Sequence, residues 1–90
     1  MLLPEYEEIY LATMAKWGEE AQYDQAVEEC AELITALKHL KRGRIEVEQV
    51  ADELADVALM VAQLSFMIGA EKVEAAIDQK IKKLKNLLQK

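Results

Sequence analysis

Apolar side chains recur along this chain at steps of three and four, the period of a helix that buries one face. Tyr6, Ile9, Tyr10, Thr13, Met14 and Trp17 mark a first amphipathic segment, and Ala26, Cys30, Leu33, Leu37 and Leu40 a second. Val73, Ile77, Ile81, Leu84 and Leu88 mark the last. The segment between them differs: from Leu54 to Ile68 nearly every position is apolar, whichever face it occupies. Such a helix must be covered all round. The only proline, Pro4, can open a helix, and the glycines at 18, 43 and 69 punctuate the remainder. The pattern predicts helices over about 4–17, 19–41, 46–68 and 70–89. No run alternates with period two and no Asn-Gly or Asp-Gly turn occurs, so the expected class is all-α, a single four-helix domain over residues 1–90.

Composition narrows this picture. With 90 residues, 52% apolar and 31% charged, the chain is globular but small, and its stability margin is thin. Three short helices would hardly cover the third segment, so a homo-oligomer, a homodimer or homotetramer, is expected. The formal net charge of −6 disfavours a nucleic-acid surface. Cys30 is the only cysteine, which excludes an internal disulfide and a cysteine metal cluster and fits a reducing, cytoplasmic setting. The opening MLLPEYEE lacks the order of a signal peptide, and Asp56, Gln63 and Ser65 interrupt the longest apolar run, so no membrane span is expected.

The chemistry sits in "VEECAEL" and "ADELADVALM". Glu29 and Glu32 are three apart and share a helix face, and Glu53 and Asp56 repeat that spacing on the next helix. Asp56 stands in the most apolar part of the chain, where an unpaired charge is costly. Packed antiparallel across the Gly43 turn, the two helices would bring these four carboxylates together. An all-oxygen donor set suits a hard cation, Mg²⁺ or Mn²⁺. The plain alternative is that these acids are solvated surface, as isolated helical glutamates usually are. Glu-x-x-His pairs, which a di-iron bundle needs, are absent. His39 reads as a cation complementing the end of its helix, and Cys30 as a small core residue. Trp17, Tyr23 and Phe66 read first as core; the alternative for Trp17, together with Gln22, is the lining of a nucleotide-base pocket. The lysines of the last helix either solubilise it or meet phosphate charge beside the metal.

"KWGEEAQ", "AVEECAELITALKHLKRGR", "VADELADVALMVAQL" and "IDQKIKKLKNLL" together resemble the MazG-like nucleotide pyrophosphohydrolases, over about residues 16–88. The shared signature is EExxE, here Glu28, Glu29 and Glu32, followed by ExxD, here Glu53 and Asp56. The resemblance implies a four-helix fold active as a dimer or larger. It also implies Mg²⁺-dependent hydrolysis of nucleoside triphosphates, often deoxy or non-standard ones, to the monophosphate and pyrophosphate. Mg²⁺ would be held by Glu29, Glu32, Glu53 and Asp56, with Glu28 as a catalytic base or supporting residue and Lys80 and Lys83 on the phosphates. The last helix departs from the pattern in carrying only lysines where relatives often have arginine and asparagine. Asp56 is followed by Val57 and Ala58 and not by Tyr-His, which ranks phosphoribosyl-ATP lower as a substrate. From another class, the alternative is a non-catalytic helical dimerisation or partner-binding module.

Overall fold

Pro4 has its φ fixed near the helical value and no N–H to satisfy, and it opens a 3₁₀ turn over Pro4–Tyr6 that runs directly into the first α-helix. The computed structural model describes residues 2–90 and contains four α-helices: α1 Glu7–Trp17, α2 Glu19–Lys41, α3 Val47–Ile68 and α4 Ala70–Leu88. Among the described residues there is no strand. The class agrees with the periodicity, and the boundaries agree to within a residue, about the accuracy with which any helix end is defined, except that α1 starts three residues after the expected position, the 3₁₀ turn taking its place. Among the described residues no single helix is long and apolar enough to cross a membrane.

The turn between α2 and α3 is built from local backbone bonds. Gly43, at φ 70°, donates to the Leu40 carbonyl at 2.9 Å, and Arg44 donates to the His39 carbonyl at 2.9 Å. These are the two bonds of a Schellman stop, whose left-handed position favours glycine. A new helix starts at once, because the Glu46 N–H finds an acceptor in Gln49 Oε1 at 3.0 Å, one bond of a capping box. The short turn returns α3 antiparallel to α2, and this pair forms the largest packing contact in the chain. Its inner face is built from Gln22, Ala26 and Ala36 on α2 and Val50 on α3, all buried. Small residues at the seam let the backbones approach closely.

That inner face is rotated from the expected stripe. Cys30 and Leu37, assigned inward by periodicity, are exposed, and Cys30 is therefore not a core residue. Gln22 and Ala36 take the inner positions. The covered face runs through Ala26, Leu33, Ala36 and Leu40, so the expected stripe is inward only in part, and Gln22 joins it beside the Thr13 carbonyl. Trp17 and Tyr23, read first as core, are also exposed, whereas Phe66 is half-buried and lies 5.9 Å, ring to ring, from Tyr10.

The closed part of the core lies where α1 crosses the second half of α3. Tyr10 is 2% exposed, and Ala62, Gln63 and Ser65 are buried beside it. Gln63 Nε2 donates to the Tyr10 carbonyl at 3.1 Å, and Thr13 Oγ1 lies 2.9 Å from both Gln63 Oε1 and the Tyr10 carbonyl, sharing one proton between two acceptors. Ser65 Oγ donates to the Val61 carbonyl at 2.7 Å, and Tyr10 Oη to the Leu3 carbonyl at 2.9 Å. The polar groups named here all have partners, which is the condition for burying them.

Coverage of α3 is accordingly incomplete. One face of its second half is covered by the chain's own helices, but Val47, Leu54, Leu59, Val61 and Ile68 are exposed, so the chain's own helices do not give the all-round cover expected from sequence. After α3 the chain bends by 117° at Gly69, whose φ of 133° is closed to other residues without strain, and α4 leaves the hairpin. Every residue from 74 to 90 is exposed.

Candidate metal centre

The antiparallel seam fixes which acids meet. Asp56 comes against Glu29 and Glu32 against Glu53, so the two i, i+3 pairs interlock across the helices. One carboxylate oxygen from each of Glu29, Glu32, Glu53 and Asp56 lies within 4.8 Å of the others. All four acids marked by spacing therefore share one volume. Glu29 and Glu53 are half-buried, whereas Glu32 and Asp56 are exposed. Asp56 is thus not the buried member expected from its apolar neighbours; it stands on the flank of α3, where no other helix covers it.

The covered groups are Glu29 and Glu53. The Oε2 atom of each is shielded from solvent and lacks a hydrogen-bond partner. Glu29 Oε1 is better served, accepting from Gln25 Nε2 at 2.7 Å. Desolvation raises the Glu29 carboxyl above its ordinary value, with Asp56 and Glu32 adding to the rise and the Gln25 bond opposing it. Glu53 is raised for the same first reason, then by Glu32 and Asp56. Among the described residues no lysine or arginine figures in either environment. Negative charge is gathered here without a cation from the chain, an arrangement that a divalent ion relieves.

Two cavities flank the cluster. One of about 390 Å³ is lined by Glu32 and Glu53 with Thr35, His39 and Gln49. The other, of about 460 Å³, is lined by Thr13, Trp17, Gln22, Gln25 and Met60. Gln25 joins this second cavity to Glu29, so Trp17 and Gln22 do line a space that opens beside the acids. Trp17 is 60% exposed, with Lys16 Nζ 5.0 Å from its ring centre, while Gln22 is buried and reaches the Thr13 carbonyl only at 3.5 Å.

The other sequence candidates fall outside the cluster. Glu28 is exposed on α2 and is not among the converging four. Lys80 and Lys83 are exposed on α4, which packs on α3 and on no part of α2. Gln25 escaped sequence reading although its i, i+4 spacing to Glu29 marks it as a holder of that carboxylate. His39, taken only as a helix-end cation, also lines the first cavity. No protein-family model, curated protein or solved structure matches the chain.

Proposed function

We propose that this chain is a Mg²⁺-dependent nucleotide pyrophosphohydrolase of the MazG-like kind, converting ribo- or deoxyribonucleoside triphosphates to the monophosphate and pyrophosphate in nucleotide-pool house-cleaning. The observation that carries the reading is the convergence of four carboxylates, two with a covered oxygen lacking any partner. Oxygen-only donors fit a hard cation, so Glu29, Glu32, Glu53 and Asp56 would hold Mg²⁺, with Mn²⁺ as a substitute. Bound there, the ion offsets phosphate charge and lowers the pKa of water.

The chain's own residues do the rest. Gln25 fixes the rotamer of Glu29 and so presents its second oxygen to the site. Glu28 accepts the proton of the attacking water as the water oxygen bonds to phosphorus in line and the bond to pyrophosphate breaks. The cavity between Thr13, Trp17 and Gln22 takes the base, with the exposed indole as its stacking surface. Lys80 and Lys83 meet the remaining phosphate charge once α4 is brought to the acidic edge of a hairpin.

Pyrophosphate release from a panel of ribo- and deoxyribonucleoside triphosphates, with Mg²⁺ and again with EDTA, tests the reading. Release that needs Mg²⁺ is expected. No release from any member at high protein concentration, with Mn²⁺ also tried, overturns it. The remaining reading is then a non-catalytic helical module, which the exposed apolar stripes of α2, α3 and α4 favour.

A further inference from the structure

The polar face of the α2–α3 hairpin does not end at the four acids. On α2, Gln22, Gln25, Glu29, Glu32, Thr35 and His39 follow one another at steps of three and four, and on α3 Asp56, Glu53 and Gln49 answer them in the opposite direction. Each belongs to the acid cluster or lines one of the two cavities beside it. Along the axis of α2, Gln22 lies seven residues before Glu29 and His39 seven residues after Glu32, about 10 Å in either direction at helical rise. The site has two ends of similar reach, whereas a nucleoside triphosphate has an organic group at only one.

The second end is not built for phosphate. Its cavity, of about 390 Å³, and the first, of about 460 Å³, both fall in the range of roughly 300–1,000 Å³ that organic ligands occupy. None of the described residues lining it is a lysine or arginine, and Lys38, Lys41 and Arg42 border a separate hollow. Ala36 and Ile45 make part of its wall apolar. The half-buried imidazole of His39 has no hydrogen-bond partner among the described residues, which leaves a ring face and a nitrogen for a ligand. Thr35 Oγ1 donates to the Ala31 carbonyl at 3.1 Å and keeps its lone pairs, while Gln49 Oε1 accepts from the Glu46 N–H at 3.0 Å and keeps its amide protons. A ring, an apolar wall and a few donors and acceptors suit a nucleobase, which histidine recognises by stacking. Glu53 ties this cavity to the acids, since it lines the one and belongs to the other, with a covered Oε2 that has no partner.

We infer that this cavity takes a second nucleoside, so that the chain hydrolyses dinucleoside polyphosphates, whose phosphates cross the acids with a nucleoside in the cavity at each end. The inference rests on the acids being a Mg²⁺-dependent pyrophosphohydrolase centre and adds a substrate class to it. With a dinucleoside tetraphosphate, the water oxygen bonds to the phosphorus next to the nucleoside in the Trp17 cavity, and Glu28 takes the water's proton. The bridging P–O bond on the far side of that phosphorus breaks, its electron pair going to the leaving oxygen. The products are a mononucleotide and a nucleoside triphosphate.

Initial rates for the tetraphosphates that join two adenosines, guanosines, cytidines or uridines, each against its own triphosphate in Mg²⁺, test this. For the base that the chain prefers, kcat/KM should be at least as high for the tetraphosphate as for the triphosphate. A lower value for every base overturns the inference, while Mg²⁺-dependent pyrophosphate release from the triphosphates leaves the pyrophosphohydrolase reading standing. Tetraphosphates cleaved where no triphosphate is cleaved uphold the inference and overturn the triphosphate reading, and no turnover of either overturns both. A nucleoside diphosphate hexose cleaved faster than every tetraphosphate puts a sugar in the cavity and overturns the second nucleoside. His39 is the only histidine, so its ring protons are readable by NMR without mutation. With Ca²⁺ replacing Mg²⁺, the tetraphosphate should move their signals upfield, as stacking on a base requires, and the triphosphate should move them less. Signals unmoved by saturating tetraphosphate overturn the inference. His39→Ala removes the ring and Thr35→Phe fills the cavity, and each should lower kcat/KM for the tetraphosphate at least tenfold relative to that for the triphosphate. An unchanged ratio in both variants, with wild-type helical circular dichroism, overturns the inference as well.

Discussion

Two polar clusters of this protein obey opposite rules. Where α1 crosses α3, Gln63, Thr13 and the Tyr10 carbonyl are buried and bonded to one another. Across the α2–α3 seam, Glu29 and Glu53 each cover an oxygen and leave it without a partner, facing two more acids. A satisfied buried network rigidifies a core. An unsatisfied one of a single sign lowers stability and persists where a ligand completes it. The contrast separates polar residues bonded within the fold from acids left open to a ligand more sharply than polarity or burial alone.

Exchanging the roles of the two clusters should give opposite phenotypes. The largest effect expected is that of Glu53→Gln on activity. Removing one charged donor from a preorganised site costs about 10²–10³ in rate, so Mg²⁺-dependent pyrophosphate release should fall at least that far. The same variant should melt at the wild-type temperature or above it in EDTA, because the amide relieves a desolvated charge. Wild-type release from Glu53→Gln would remove that residue from the site. Gln63→Ala should do the reverse. It removes two buried hydrogen bonds, leaving Thr13 and the Tyr10 carbonyl only each other, and empties the space of a buried side chain, a loss of about 2 kcal/mol, or about 10 °C in Tm. Its Mg²⁺ affinity, measured well below its melting temperature, should stay within about twofold of wild type, since additivity holds for sites that share no partners. A thermal melt unchanged by Gln63→Ala would mean that the network contributes nothing to stability.

The helix boundaries were legible because Pro4, Gly18, Gly43 and Gly69 act through backbone conformation, which needs no tertiary context. The four acids were legible for a similar reason: i, i+3 spacing fixes a shared face, and a short turn forces the helices antiparallel. The rotation of α2 was not. Its covered face holds Gln22, Ala26 and Ala36 and its open face Cys30, Ile34 and Leu37, so the more apolar side chains are the exposed ones. Hydropathy counts that open face as buried and does not distinguish a contact within the chain from one between chains. Reading Cys30 as core follows from that ambiguity, whereas reading Asp56 as covered follows from its apolar neighbours on α3. Gln25 was missed because a neutral side chain beside a glutamate has no hydropathy signature, and its i, i+4 spacing to Glu29 was the signal available for the bond that the geometry shows.

A smaller effect sharpens the contrast at the edge of the site. Gln25→Ala should weaken Mg²⁺ binding by about tenfold, the usual cost of losing a residue that orients a ligand, because Glu29 then loses its fixed rotamer. Its stability should change by no more than about 0.5 kcal/mol, since Gln25 is exposed. Calorimetric Mg²⁺ titration of the two proteins decides this, and equal affinities would leave Gln25 as ordinary surface.

The smallest effect is a pH slope whose sign distinguishes the two clusters. Glu29 and Glu53 titrate above 4.5, the ordinary glutamate value, because desolvation and the neighbouring acids penalise their charged forms. The folded state therefore binds protons more tightly than the unfolded chain between 4.5 and the raised values. That contribution favours folding below 4.5 and is lost as pH rises through the folded values, the reverse of a salt-bridged carboxylate. In EDTA, Glu29→Gln and Glu53→Gln should each flatten the fall in Tm across that window, while Gln63→Ala lowers the whole curve and leaves its slope unchanged. Saturating Mg²⁺ should oppose the fall, because the ion binds the deprotonated carboxylates and binds them more tightly as pH rises. Melting curves at four or five pH values, with and without Mg²⁺, contain the answer. A wild-type slope in EDTA that matches that of Glu53→Gln would mean that water, and not a ligand, satisfies the covered oxygens.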